Sequence, residues 1–313
     1  MAMPEKFYRV AVLCSMSLMA QQILQGFARL FRDKKNNILI FPYSMRHYDE
    51  VGYRHCAQEI VDGEYDLVVL IGCLPTKSFI EHISGEKYSI PIIYTAVLDP
   101  EIQQMVRDTC LYSTNISFTQ QSGLQAVQVL HECNPLMRSL LVVHDPLRWS
   151  KTSAYPIFNR YVLEVTEYCR QNHIQVDFYA DPNKSYPYKI KEIIADYDSV
   201  LTVEGYISSE KELFLGLMCS ERGKVCMASN LEQAQRGVTS LTFSPDYKIM
   251  VEKVFDESLR VLLTAETGAK PYFQKVSLED ARLLCMNYDQ AKKQGIDPEH
   301  VLFVTNKYRG RVF

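Results

Sequence analysis

The segment "SIPIIYTAVLDPE", Ser89 to Glu101, combines a buried strand with the start of a helix. Its run of isoleucines is typical of a strand covered on both faces, as in a parallel sheet. Asp99 followed by Pro100 predicts a helix entry, because Asp caps a helix N-terminus and Pro is tolerated in the first turn. Between strand and helix lie the small residues Thr95 and Ala96. They leave room at the strand end, either for a ligand or for a plain strand-to-helix turn.

Comparable strand and helix units recur along the chain. Short apolar runs that predict strands in the first half lie at 8–15, 37–44, 65–73 and 90–97. The pattern begins again in the second half, with runs at 139–146, 174–180, 199–205 and 224–229. Longer amphipathic stretches separate these runs, which is typical of parallel strands joined by helical crossovers. The sequence therefore predicts an α/β protein built from two similar halves.

Composition narrows the classes of function. The chain has 313 residues, of which 47% are hydrophobic and 23% charged, which predicts a globular protein of one large or two medium domains. A net charge of -3 gives no general electrostatic reason to bind nucleic acid or an anionic bilayer, so small molecules and proteins are the expected partners. Because residues 1–9 lack a secretion signal, we expect either a cytoplasmic protein or one whose leader is absent from this sequence.

Signals of metal binding or catalysis are weak. The nine cysteines form no CxxC pair and have no His at metal-ligand spacing, so we interpret them as core residues and expect no metal and no cofactor. The motifs of nucleophile elbows, phosphate loops and zinc helices are absent from the sequence. His144 beside Asp145 at a predicted strand end is a candidate acid–base pair, and Trp149 in the following loop is a candidate stacking wall. A solvent-facing strand end and a rim residue are the alternative interpretations.

The turn "GCLPTKS" after the third predicted strand is a second candidate position for a ligand. Backbone N–H groups at the start of a helix favour anions, and those around Thr76 to Ser78 could face a carboxylate. A plain strand-to-helix turn explains this segment equally well.

Ordered short segments carry a family resemblance. They are Gly26-Phe27 in "SLMAQQILQGFARL", the segments "DLVVLIGCLPTKSF", "IPIIYTAVLDPE" and "NISFTQQ", and the C-terminal set Asn287, Ala291, Gly295, Ile296 and Pro298. In order and spacing the chain resembles the periplasmic-binding-protein-like substrate-binding proteins of ABC transporters, in the group that includes tryptophan- and phenylalanine-binding members. It departs from the family pattern at predicted cleft positions, where Ser17 and Leu18 replace His-Pro and Glu204-Gly205 replaces Asp-Asn.

The resemblance implies the type I periplasmic-binding-protein fold, two Rossmann-like αβα lobes with parallel sheets joined by a three-crossing hinge. Lobe 1 would comprise residues 5–117 plus 240–270, and lobe 2 residues 118–239 plus 271–313. The crossings would fall near 115–120, 236–242 and 268–276. Closure of the lobes around a small molecule requires contacts from both.

The resemblance also implies the ligand-binding residues. Those of lobe 1, whose amides and hydroxyls would receive a carboxylate, are Ser15, Ser17, Leu74, Pro75, Thr76, Thr95 and Ala96. In lobe 2, Glu204 would bind an ammonium group through a charge-assisted hydrogen bond of about 1.5–3 kcal/mol. Asn230 and Trp149 would complete the wall, with Trp149 against an apolar or aromatic side chain.

The function implied is that of a non-catalytic, monomeric receptor for an amino acid, with aromatic ones favoured. It would deliver the solute to an ABC permease driven by an ATPase subunit, in the periplasm or elsewhere outside the cytoplasmic membrane, tethered there if a lipoprotein leader preceded this sequence. Two alternatives stay open. One is the ligand-sensing domain of a regulator or kinase, and the other is an α/β enzyme built around His144 and Asp145.

Overall fold

The chain divides into two compact units in a computed structural model. Unit 1 comprises Met1–Thr119 and Asp246–Ala281, and unit 2 comprises Gln120–Pro245 and Arg282–Phe313. The structure describes residues 7–16, 18–33, 37–45, 49–84, 88–97, 99–118, 122–144, 155–180, 186–202, 209–265, 272–278, 282–308 and 310–313. Within these ranges it is an α/β protein with one mainly parallel sheet in each unit, as predicted.

Strands and helices alternate from the start of unit 1. The elements of its first segment are β1 (Tyr8–Ser15), α1 (Leu18–Asp33), β2 (Ile38–Met45), α2 (Glu50–Asp62), β3 (Leu67–Ile71), α3 (Cys73–His82), β4 (Ile92–Thr95), α4 (Pro100–Thr109) and β5 (Tyr112–Phe118).

Unit 2 repeats the alternation. Its first segment contains α5 (Ser122–Cys133), β6 (Ser139–His144), α6 (Tyr155–Gln171), β7 (Gln175–Ala180), α7 (Tyr186–Ile194), β8 (Ser199–Thr202), α8 (Ser209–Glu221), β9 (Val225–Ala228), α9 (Leu231–Gln235) and β10 (Leu241–Pro245). The chain then returns to unit 1 with α10 (Tyr247–Ala265) and β11 (Tyr272–Leu278). It ends in unit 2 with β12 (Arg282–Met286), α11 (Tyr288–Lys293), α12 (Pro298–Lys307) and β13 (Arg311–Val312).

The two sheets share a strand order. Unit 1 has the order β11-β5-β4-β3-β1-β2, and unit 2 has β13-β12-β10-β9-β8-β6-β7. If the strands are numbered within each unit in chain order, both sheets begin with the second strand, which is β2 or β7. The first, third, fourth and fifth strands follow it, which is a doubly wound order. The order reverses between β1 and β3 in unit 1 and between β6 and β8 in unit 2. At such switch points, ligands bind beyond the carboxyl ends of the strands.

Helices cover both faces of the unit 1 sheet, which explains its continuous apolar strands. On one face, Val10 and Val12 of β1 pack with Phe27 of α1 and Phe255 of α10, while the other face packs against α2, α3 and α4. Gly26 allows the close approach of α10, because an added Cβ would lie 3.0 Å from a methyl carbon of Val251. The Gly-Phe pair of the family resemblance therefore serves the packing of helices α1 and α10.

Two segments lie in a different unit from the one predicted. The sequence assigned 240–270 to lobe 1 and 271–313 to lobe 2, but β10 pairs with β9 and β12 in unit 2, and β11 pairs with β5 in unit 1. The chain therefore crosses after Pro245 and after Ala281, later than predicted, because each crossing follows a strand and not the loop before it. The first crossing, after Thr119, falls within the predicted range.

None of the nine cysteines is in a disulfide, and eight of them are buried, as expected for core residues. Across the ranges that the structure describes, none of the helices combines the length and apolarity needed to cross a bilayer.

Candidate functional site

Three strand ends meet at the carboxyl edge of the unit 1 sheet. Ser15 ends β1, Gly72 follows β3, and Thr95 ends β4. Ile71 pairs with Cys14 on one side and with Thr95 on the other, so the three ends lie side by side. The Gly72 N–H also donates a 2.9 Å hydrogen bond to the Thr95 carbonyl. The structure therefore brings Ser15 to the switch point of this sheet, where ligands are expected, and Thr95 to the end of the adjacent strand β4.

The turn from β3 into α3 depends on the conformation of Gly72. Its φ of 102° and ψ of 162° lie in a region that is essentially restricted to glycine. The Gly72 carbonyl accepts a 2.8 Å hydrogen bond from the Thr76 hydroxyl and a 3.3 Å bond from the Thr76 N–H. Because α3 already begins at Cys73, Thr76 to Ser78 lie inside the helix, and Pro75 has no N–H. The first-turn N–H groups that could face an anion are those of Cys73 and Leu74, earlier than predicted.

Strain and an unsatisfied hydroxyl occur together at the end of β4. Thr95 is fully buried, and its Oγ1 has no hydrogen-bond partner among the atoms of the described ranges. Ala96 has a φ of 57°, a left-handed conformation that is unfavourable for a residue with a Cβ. Such outliers cluster at ligand-binding and active sites. Asp99 then caps α4 as predicted, since its Oδ1 accepts a 2.9 Å hydrogen bond from the Glu101 N–H.

A neutral polar network fixes the ends of β1 and β2. The Gln21 Nε2 donates to the Ser15 carbonyl at 3.1 Å and to the Ser44 hydroxyl at 3.2 Å. The Tyr53 hydroxyl donates to the Met45 carbonyl at 3.3 Å. Burial raises the pKa of Tyr53, so its side chain stays uncharged at neutral pH. This edge therefore offers neutral hydrogen-bonding groups, and the negative charge of Asp49 at the start of α2 lies close enough to raise the pKa of Tyr53 further.

Only some of the predicted site residues of unit 2 lie within the described ranges. His144 ends β6 and is 8% exposed. Asn230 caps α9, and its Oδ1 accepts a 3.1 Å hydrogen bond from the Glu232 N–H. Its amide nitrogen is the group that could contact a solute. Ser17, Asp145, Trp149 and Glu204 lie outside the described residues.

Glu212 is a buried carboxylate at the carboxyl edge of unit 2 that the sequence analysis missed. Its Oε1 accepts hydrogen bonds from the Ser229 N–H at 2.6 Å, from the Ser229 hydroxyl at 2.7 Å and from the Thr202 hydroxyl. Its Oε2 accepts a 3.1 Å bond from Gln233 Nε2. The available signal was its spacing, since Glu212 lies three residues before the buried Leu215 and so shares the apolar face of α8.

The described part of the chain contains no group of three or more His, Cys, Asp or Glu residues that could hold a metal ion.

Solved structures match the chain over nearly its whole length, whereas no family model and no curated protein matches it. A conserved domain protein from Vibrio cholerae is 17% identical with a TM-score of 0.72, covering 98% of this chain and 100% of that one. An ABC domain from Streptococcus pneumoniae in complex with L-Trp is 15% identical with a TM-score of 0.68, covering 97% and 100%. These matches establish similarity of fold.

Binding proteins and ligand sensors are among the matches. A ligand-free, open substrate-binding protein with adhesive properties from Clostridium difficile is 14% identical with a TM-score of 0.65, covering 93% of this chain and 95% of that one. A Lac repressor dimer bound to operator and an anti-inducer is 11% identical with a TM-score of 0.57, covering 87% and 92%. The chain has the periplasmic-binding-protein fold. This fold is shared by transport receptors and by the sensing domains of regulators, so it does not decide between them.

Proposed function

We propose that the chain is a non-catalytic receptor that binds a small solute, with residues from the carboxyl edges of both sheets contacting it. The observation that carries this proposal is the pair of unusual turns in unit 1. Gly72 and Ala96 both have positive φ, and the hydrogen bond from Gly72 to Thr95 joins their turns. Strained backbone such as that of Ala96 persists where surrounding structure enforces it, and a strained residue joined to a glycine-only turn next to a switch point is expected of a ligand site.

An amino acid is the solute class that these edges suit best. In unit 1, the Thr95 hydroxyl and the first-turn N–H groups of α3 complement a carboxylate. Ser15, Ser17 and Ala96 complete that side of the proposed site. In unit 2, we assign the ammonium group to Glu204, since a carboxylate is the natural partner of a cation. The remaining wall is assigned to Asn230 and to Trp149, where an aromatic solute would stack.

The proposed role is in uptake. Delivery to an ABC permease and its ATPase would place the receptor outside the cytoplasmic membrane. The L-Trp complex of the matched ABC domain from Streptococcus pneumoniae supports an aromatic amino acid as solute. Closure on the solute requires only that the solute bind the closed form more tightly than the open one.

A thermal-shift screen with the twenty amino acids tests the solute class. We expect at least one amino acid to raise the melting temperature, because a ligand that binds only the folded state stabilises it by about 2.7 kcal/mol at a concentration of 100 Kd. The shift should grow with the logarithm of solute concentration. Absence of a shift with every amino acid would refute this solute class. If mass spectrometry detected chemical conversion of a bound amino acid, that result would refute the non-catalytic role and favour an enzyme at His144.

A ligand-sensing domain of a regulator is the second candidate. The matched Lac repressor dimer supports it, since that protein couples the same fold to an operator. Analytical ultracentrifugation with and without the stabilising amino acid distinguishes the two roles. A monomer in both conditions supports the receptor, and a dimer whose stability depends on solute supports the regulator.

A further inference from the structure

Glu212 connects three elements at the carboxyl edge of the unit 2 sheet. It lies on α8, and its carboxylate is bonded to Thr202 at the end of β8, to Ser229 just after β9, and to Gln233 in α9. The residue is 2% exposed, so these protein groups and not bulk water surround it. A single side chain therefore links the ends of two neighbouring strands with the helix that follows them.

The chemistry of this cluster suits a carboxylate. Four hydrogen-bond donors of the described residues face it, namely two hydroxyls, one backbone N–H and one amide NH2. An ionised carboxylate only accepts hydrogen bonds, whereas an amide of the same shape would present its own NH2 to some of these donors. Charge-assisted bonds are also stronger than neutral ones, so the position of Ser229 is held more firmly than by an amide.

Packing keeps Gln233 in place beside Glu212. One turn further along α8, Gly216 lies against the segment that precedes β10, where an added Cβ would be 2.6 Å from a methyl carbon of Thr239. The same added Cβ would lie 3.3 Å from the Gln233 oxygen. Gln233 is itself 3% exposed. The α8 helix and the turn between β9 and α9 thus form one closely packed frame around the carboxylate.

We propose that Glu212 is a positioning residue of the solute site. It does not touch the solute, but it holds the backbone at Thr202 and Ser229, each of which adjoins a proposed solute contact. Glu204 follows Thr202 by two residues, and Asn230 follows Ser229 directly. This inference rests on the proposed function for its consequence in binding, whereas its structural part concerns unit 2 alone.

Hydrogen exchange and a titration test the two parts separately. In Glu212→Gln without solute, we expect amide exchange at Ser229 and in α9 to rise at least about tenfold, because donors then face an NH2. In calorimetric titrations, the amino acid with the largest thermal shift, or L-tryptophan if several are equal, should bind at least about tenfold more weakly. If the wild type binds none of the twenty amino acids, the proposed function fails while the exchange result still decides the structural part.

Two controls separate positioning from general destabilisation. Glu221→Gln makes the same chemical change on the same helix at an exposed residue, where the carboxylate pairs with Lys191 at 3.1 Å, and should leave exchange and affinity unchanged. Val165→Ala removes buried apolar atoms elsewhere in unit 2 and should lower stability while affinity stays within about twofold. A folded Glu212→Gln variant with wild-type exchange at Ser229 overturns the proposal, as does a tenfold affinity loss in Val165→Ala.

If Glu212→Gln does not fold, the Gln233→Met variant tests the proposal instead. The loss of one hydrogen-bond donor to Glu212 should weaken solute binding about threefold, and a wild-type affinity would refute the positioning role.

Discussion

Phe255→Ala should destabilise unit 1 by about 3–5 kcal/mol, because truncating a fully buried aromatic side chain leaves a cavity. Phe255 lies on α10, which enters unit 1 more than 120 residues after β5. Its ring centroid is 4.6 Å from that of Phe31 on α1, and the side chain has no exposed surface. The measurement is denaturant unfolding combined with hydrogen exchange, and the largest rise in exchange is expected in β1, β3 and β4.

Leu263→Ala provides the matched control on the same helix. Leu263 is 60% exposed, so its truncation should change the free energy of unfolding by less than about 0.5 kcal/mol. If Phe255→Ala raised exchange in unit 2 and not in unit 1, the assignment of α10 to unit 1 would be wrong.

The sequence predicted the parts of the fold whose signals are local. Continuous apolar runs identified β1, β3 and β4, since strands of a parallel sheet are buried on both faces. Asp99 and Pro100 identified the entry of α4, because capping depends only on adjacent residues. The repeat of strand and helix units also predicted two similar halves, although it did not predict the strand order within each sheet.

The prediction of the second crossing was wrong because it depends on the pairing of strands that lie far apart in the sequence. Ser244-Pro245 has the sequence of a helix entry, but these residues end β10, opposite Leu283 and Arg282 of β12. Helix α10 begins at Tyr247, where Asp246 accepts a 3.0 Å hydrogen bond from the Lys248 N–H. A local pattern does not contain the information that a strand 40 residues later will pair there.

The candidate site shows the same division between local and distant signals. Thr95 and Ala96 were identified because small residues after an apolar strand are visible in the sequence. Glu212 was not, since a glutamate in a helical stretch usually faces solvent and its donors lie 10 to 21 residues away. The special conformation of Gly72 was also missed, although it determines how the turn between β3 and α3 meets the end of β4.

Gly72→Ala should weaken solute binding and destabilise unit 1 together. The main effect comes from conformation and not from a clash, because among the described residues the added Cβ would meet only Pro75 Cδ, at 3.7 Å. With φ at 102° and ψ at 162°, the alanine would be strained by about 1–3 kcal/mol. Relief of that strain requires rotation of the backbone, which would break the Gly72 N–H bond to Thr95 and the Thr76 bonds to the Gly72 carbonyl. We expect at least about tenfold weaker binding in calorimetric titration, since each lost hydrogen bond at the site contributes about 1 kcal/mol.

Gly223→Ala separates the effect of the Gly72 turn from the general effect of placing alanine at positive φ. Gly223 follows α8 with a φ of 62°, and an added Cβ there meets no atom of the described part of the chain within 4 Å. This ordinary left-handed conformation should destabilise the alanine variant by about 1 kcal/mol and leave solute affinity unchanged. Equal losses of affinity in both variants would mean that binding follows global stability. A loss confined to Gly72→Ala would place the solute at the turn that Gly72 makes possible, because of the two turns compared it is the Gly72 turn that joins two strand ends next to the switch point of the sheet.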